Sequence, residues 1–197
     1  MDDPRQRWAD ARRAARRARR RAAYRRGLRP VALAAWNISK AHNVGSLVRT
    51  AHAAAVREVI LVGEREWNRE AARTADLYTT VTHLPAETGA FLHHVRSRGH
   101  TLVAVELSPG AVNLFEADYP PDPCFLLGAE LGGIPRDLLD EADLVVQIPQ
   151  WGLVPCLNVA VAGSIVVYDH LAKLHRRGIL DRPDGGLPPS PGERPDA

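Results

Sequence analysis

Val31-Ala-Leu-Ala-Ala-Trp36 is an uninterrupted apolar run, and Glu58-Val-Ile-Leu-Val-Gly63 is a second one. Between them Val44, Leu47, Val48, Ala51 and Ala55 recur at helical spacing, with Asn43 placed to cap that helix. Strand, helix and strand within about 35 residues form a βαβ unit, which implies a parallel sheet covered by helices. Arg49 and His52 fall off the apolar stripe, so they are free for other work. The alternation continues downstream. Strands are expected at Thr101–Leu107, Cys124–Gly128 and Leu144–Ile148, with an extended piece at Tyr78–Leu84. Helices are expected around Arg69–Leu77, over Pro85–Arg98 with Gly99 closing it, from Pro135 through Ala142, and from Asn158 to about Arg177. Asn113–Pro123 reads as loop. The last helix is apolar around much of its circumference until Asp169, as in a helix buried on two sides at a subunit interface.

The first thirty residues differ in kind. They hold twelve arginines and three aspartates, a charge of +9, while the remaining chain carries −6 and the whole +3. Trp8, Ala11, Ala15, Ala18 and Ala22 line one face of a helix over Trp8–Arg26. Arg12, Arg13, Arg16, Arg17, Arg20 and Arg21 cover much of the rest. A cationic arm on a mildly acidic body fits a polyanionic partner, and such guanidiniums grip phosphates without reading sequence. A solvated charged helix is the plainer alternative. The organisation expected is a basic helical arm at residues 1–29, an α/β domain at 30–180 and a Pro- and Gly-rich disordered tail at 181–197.

Composition narrows the class further. The 197 residues, 45% of them hydrophobic, suit one domain of ordinary size. No run is long enough to span a bilayer, and the Arg-rich start is followed by no apolar core. The two cysteines, Cys124 and Cys156, lack metal or redox spacing and fit a reducing compartment. Cytoplasmic localisation is the expectation. The histidines offer no ligand spacing, and His93 and His94 are expected on a helix surface, so no metal is expected.

Three loops lie at the carboxyl ends of the expected strands, where parallel α/β sheets bind ligands: Glu106–Pro109, Gly128–Pro135 and Pro149–Leu157. Each is rich in Gly or Pro, so main-chain groups can approach a ligand closely. None carries a dinucleotide fingerprint or a Walker loop. The inference is a nucleoside-containing cofactor held mainly by backbone.

Asn43-Val-Gly-Ser-Leu-Val-Arg-Thr-Ala51, Leu127-Gly-Ala-Glu-Leu-Gly-Gly-Ile-Pro135 and Ile148-Pro-Gln-Trp-Gly-Leu-Val-Pro-Cys-Leu-Asn-Val-Ala160 resemble, in order and spacing, the three motifs of the SpoU (TrmH-like) RNA ribose methyltransferases. The resemblance covers about residues 30–177. The Ile-Pro-Gln form of the third motif and the basic arm are similar to the tRNA guanosine 2′-O-methyltransferase branch. It implies a Rossmann-like α/β fold, a mostly parallel sheet flanked by helices, whose C-terminal part forms a deep trefoil knot. It also implies S-adenosylmethionine as methyl donor, a homodimer with a site built from both subunits, and RNA, most simply tRNA, as substrate. By motif matching, Val105, Gly128, Ile148 and Leu157 contact the cofactor. Asn43, Arg49, Glu130 and Asn158 line the catalytic centre.

A ribose hydroxyl is a poor nucleophile, so the protein must align the reacting atoms and favour charge on the attacking oxygen. Arg49 is the candidate for holding the adjacent phosphate. Because an arginine keeps its proton, its role is electrostatic, with phosphate or water taking the proton. Glu130 is expected to orient Arg49 or the loop, and Asn158 to bridge cofactor and substrate. Plainer readings stay open: Arg49 in a surface ion pair, Glu130 as a helix-start acid, Asn158 as an N-cap. Cys156 stands where the family commonly has Ser, and a thiol is the weaker donor. The alternatives at the level of function are a non-catalytic RNA-binding protein of the same fold, rRNA as target, and a doubly wound metabolic enzyme with an incidental arm.

Overall fold

The computed structural model describes residues 3–63, 67–130, 132–154 and 156–180. Strand β1 (Arg29–Trp36) is buried from Val31 onward on both faces, which is why its sequence is a continuous apolar run rather than an alternating one. β2 (Val56–Val62) and β6 (Pro123–Leu127) flank it. With β3 (Thr80–Leu84), β4 (Thr101–Val105), β5 (Val112–Asn113) and β7 (Leu144–Gln147), the described residues form one seven-stranded sheet in the order β3-β2-β1-β6-β4-β7-β5. Every neighbouring pair is parallel.

The sheet divides the core into two layers, and successive strand residues alternate between them. Leu33, Val59, Val103, Phe125 and Leu127 face α2 (Ala41–Ala53) and α5 (Val159–Arg176). Ala34, Ile60, Ala104 and Leu126 face Phe91 and Val95 of α3 (Thr88–Ser97) and Leu138 of α4 (Arg136–Asp140). Gly163 lets α5 sit close: a Cβ there would fall 2.6 Å from Leu47 and 2.8 Å from Leu127. Thr50 and Ser164 tie α2 to α5 through a hydroxyl pair at 2.8 Å.

The N-terminal helix α1 (Pro4–Arg26) is almost wholly exposed, including its alanine face. It is anchored at its end, where the Tyr24 hydroxyl donates to the His52 carbonyl at 3.1 Å and the two rings lie 4.6 Å apart. Among the arm's arginines, Arg13 pairs with Asp10 at 2.5 Å and Arg12 lies 5.2 Å from the Trp8 ring centre.

Several expectations are corrected. Asn43 does not cap α2; the helix begins at Ala41 after Lys40, and Asn43 is buried inside its first turn. The helix expected around Arg69–Leu77 is two 3₁₀ turns, Arg69–Ala72 and Ala75–Leu77, split by Arg73 and Thr74 in the left-handed region. The expected loop at Asn113–Pro123 begins with a residue of β5. His94 is not simply a surface side chain: its Nε2 lies 3.2 Å from the carboxylate of Glu58, which is 1% exposed and also accepts from the Thr82 hydroxyl. The expected disordered tail lies outside the described residues.

Candidate active site

Parallel strands bring the ends of β4, β6 and β7 to one edge, together with the loop after β1 and the start of α5. A cavity of about 760 Å³ opens there. Val105, Gly128, Ile148 and Leu157, expected from their motifs, all line it, as do Glu130 and Asn158. So does Cys156, which is exposed.

The Gly-rich loop owes its shape to its glycines. Ala129 and Gly133 exchange backbone hydrogen bonds at 3.0 and 3.1 Å, folding the loop into a tight reversal. Gly133 sits at φ 63°, where side chains are disfavoured. At Gly128 a Cβ would fall 2.4 Å from the Gly133 carbonyl carbon, so only glycine lets the loop fold onto its own strand end. On this side of the cavity Gly128, Ala129 and Gly133 bring no large side chain into the lining. That suits a nucleoside-type ligand such as S-adenosylmethionine, whose adenine and ribose take backbone hydrogen bonds. The residues present therefore fit the group that the motifs imply.

Three of the four catalytic candidates are joined. The Asn43 side-chain amide donates to Glu130 Oε1, and its Oδ1 accepts from Asn158 Nδ2 at 3.0 Å. Asn158 in turn caps α5, its Oδ1 accepting from the amides of Ala160 at 2.9 Å and Val161 at 3.3 Å. It is thus both an N-cap and a site residue. Glu130 Oε2 accepts from Ser39 at 3.0 Å and lies 3.6 Å from the Lys40 ammonium. Glu130 therefore organises the loop after β1 rather than Arg49, and it is not a helix-start acid.

The fourth candidate stands apart. Arg49 is exposed on α2 and lines a different depression, with Ser46, Thr50, His52, Arg73 and Tyr168. It has no ion pair among the described residues, so the surface-pair reading is not what the chain displays.

Glu106 was missed. Its carboxylate lines the cavity and accepts from the backbone of Leu107 at 3.0 Å and of Ile134 at 3.1 Å, tying the loop after β4 to the Gly-rich loop. It lay within the loop singled out as ligand-facing, and an acid at a strand's carboxyl end was the available signal. Ser39 and Lys40 were also missed, since their roles depend on Glu130 across the fold.

Among the described residues no group of three His, Cys, Asp or Glu side chains is placed to hold a metal ion. None of the helices there is long and apolar enough to cross a membrane. Burial pushes the Cys124 thiol well above its ordinary range, which removes it as a nucleophile.

The fold and cavity define an α/β domain with a cavity at the carboxyl ends of its parallel strands, lined by the loops after β4, β6 and β7. Comparison with known proteins is specific. Residues 30–168 match the SpoU rRNA Methylase family, and the chain belongs to it. It is 31% identical over 159 residues to the tRNA (guanosine(18)-2′-O)-methyltransferase of Escherichia coli, covering 80% of this chain and 69% of that protein. It is 30% identical over 151 residues to the enzyme of that name from Thermus thermophilus, covering 75% and 77%. Among solved structures, the A. aeolicus TrmH/SpoU tRNA modifying enzyme superposes with a TM-score of 0.73 at 25% identity, over 84% of this chain and 86% of that one. An AdoMet-bound rRNA methyltransferase from Sinorhizobium meliloti gives 0.67 at 29% identity, over 79% and 58%.

Proposed function

We propose that this chain is an S-adenosylmethionine-dependent ribose 2′-O-methyltransferase acting on a guanosine of tRNA in the cytoplasm. The observation that carries the reading is the Glu130–Asn43–Asn158 hydrogen-bond chain at the rim of the cavity lined by Val105, Gly128, Ile148 and Leu157. The tRNA assignment is supported by the names of the relatives.

The bound donor supplies a methyl group already activated on a sulfonium. The chain's own work is placement. Main chain at Gly128, Ile148 and Leu157 holds the nucleoside, and Glu106 keeps the two neighbouring loops at fixed separation. Asn158, locked by Asn43 and by the first turn of α5, presents the cavity wall to the ribose. Arg49 holds the phosphate beside the attacking hydroxyl and stabilises the negative charge that builds there, while phosphate or water takes the proton.

Arg49 lies outside the cavity of its own chain, so the reading requires a second copy to deliver it. A homodimer is supported by the open face of α5, where Val161 and Tyr168 are exposed, and by Trp151, Leu153 and Val154, which project apolar surface from the loop before it. The trefoil knot implied by the family belongs to the same proposal, with the chain after β7 passing through the loop that precedes it. Arg16, Arg17, Arg20 and Arg21, which have no ion partner among the described residues, together with Arg12 and Arg13, form the arm that grips RNA phosphates.

The family's description and the Sinorhizobium neighbour's name favour rRNA as the second reading. The test offers purified protein and labelled donor to unmodified tRNA and rRNA transcripts, followed by nucleoside analysis. The expected product is 2′-O-methylguanosine in tRNA. Label confined to rRNA moves the substrate, and base-methylated nucleosides or no transfer at all refute the function.

A further inference from the structure

Between the two 3₁₀ turns, Arg73 sits at φ 49° and Thr74 at φ 72°, two successive side-chain-bearing residues in the left-handed region. A β-branched residue there is a genuine outlier. Such strain persists only where the surroundings over-determine it, and it concentrates at binding sites. Here the surroundings do over-determine it. Ala72 and Ala75 are buried on either side, and Ala71 packs so tightly on α2 that a Cβ on Gly45 would fall 2.5 Å from it.

The consequence of this conformation is a second cation beside Arg49. Arg73 and Thr74 line the same depression of about 660 Å³ as Ser46, Arg49, Thr50 and His52, and no carboxylate lines it. Neither guanidinium has an ion partner among the described residues. Two guanidiniums without an ion partner, on a depression that no carboxylate lines, form a site for a tetrahedral oxyanion, the chemistry that arginine's fork of donors matches.

We infer that this depression binds a phosphodiester of the RNA substrate, with Arg73 as a second phosphate-gripping residue that the strained Arg73–Thr74 pair holds in position. The inference rests on the RNA-methyltransferase reading and adds a residue that no motif of the chain announces. Arg73 is a binding residue, not a catalytic one.

The test compares wild type with Arg73→Gly and Arg73→Lys. An unmodified tRNA transcript is titrated over a range of salt, S-adenosylmethionine affinity is measured by calorimetry, and the thermal midpoint is recorded. Glycine relieves the backbone strain while deleting the cation, so stability and binding should move apart. For Arg73→Gly the expected result is about five-fold weaker tRNA binding at 0.1 M salt and a salt slope shallower by about 0.7–0.9. The thermal midpoint should be equal or higher, and donor affinity unchanged. Arg73→Lys should keep the wild-type slope. Wild-type slope and affinity in Arg73→Gly would overturn this site and leave the methyltransferase reading standing. A wild-type protein that binds no RNA would sink both.

Discussion

Asn158 donates through Nδ2 to Oδ1 of Asn43 at 3.0 Å, across 115 residues of chain. One bond thereby joins the first turn of α2 to the first turn of α5. Because the Nδ2 of the same Asn43 amide donates to Glu130 Oε1, the three motifs of the chain meet at one point. That junction, rather than any single side chain, is what sets the cavity rim.

Replacing Asn158 separates its two jobs. Asn158→Asp keeps an acceptor for the amides of Ala160 and Val161 but cannot donate to Asn43. Methyl transfer should fall about 10²-fold while the thermal midpoint stays within a few degrees of wild type. Asn158→Ala should lose the cap as well, costing about 1 kcal/mol of stability. Single-turnover rates and denaturant melts check the pair.

Gly128→Ala should fail for a steric reason. The added methyl would lie 2.4 Å from Gly133 and 2.5 Å from Ile134, and both are backbone atoms that cannot rotate away. Overpacking of this kind costs about 1–3 kcal/mol, and the loop must move off the cavity to relieve it. Calorimetry should find donor affinity reduced at least about tenfold, since a 1.4 kcal/mol loss is one decade.

His170 sets an acid limit on stability. It is buried against Tyr119 and Phe125, its Nε2 lacks a partner among the described residues, and burial lowers its pKa to about 4. Between the unfolded value near 6.5 and the folded value, the unfolded chain binds more protons. Stability from this group is therefore full above about pH 6.5 and is lost as pH falls toward 4, by up to about 3 kcal/mol. Burial lowers the His52 and His100 pKa values as well, so they act in the same direction. His170→Leu, which needs no proton, should flatten the slope of stability against pH across that window.

Arg49→Ala should remove transfer while leaving donor affinity intact, because the proposed partner of Arg49 is the RNA phosphate and not the methyl donor. Loss of about 10³-fold in rate is the scale for deleting a charge that stabilises the transition state. A variant that loses donor binding instead would place Arg49 on the wrong side of the reaction.

What was legible in the sequence was what local chemistry determines. β1 and β2 announced themselves because strands buried on both faces must be apolar throughout. The Gly128–Pro135 reversal was readable from its glycines, and the cap at Asn158 from the apolar helix behind it. The errors fall where a distant part of the chain decides. Asn43 looked like a cap from its neighbours, yet its side chain is claimed by Glu130 and Asn158 from far along the sequence. Arg69–Leu77 has helical composition, but packing of Ala71 on Gly45 breaks it at Arg73 and Thr74. β5 has only two residues and exists because β7 offers an edge for it. Glu106 carries no signature apart from the loops it bridges.

The central claim is that one methyl-transfer site is assembled from the cavity of one copy and Arg49 of another. Co-expressed Arg49→Ala and Asn158→Ala chains, carrying different affinity tags, yield purified mixed dimers whose transfer to tRNA can be compared with each inactive parent. The account predicts recovery of about half the wild-type rate, since one of the two sites then has both its cavity and its arginine intact. Mixed dimers as inactive as the parents would contradict it, because each arginine would then serve its own chain.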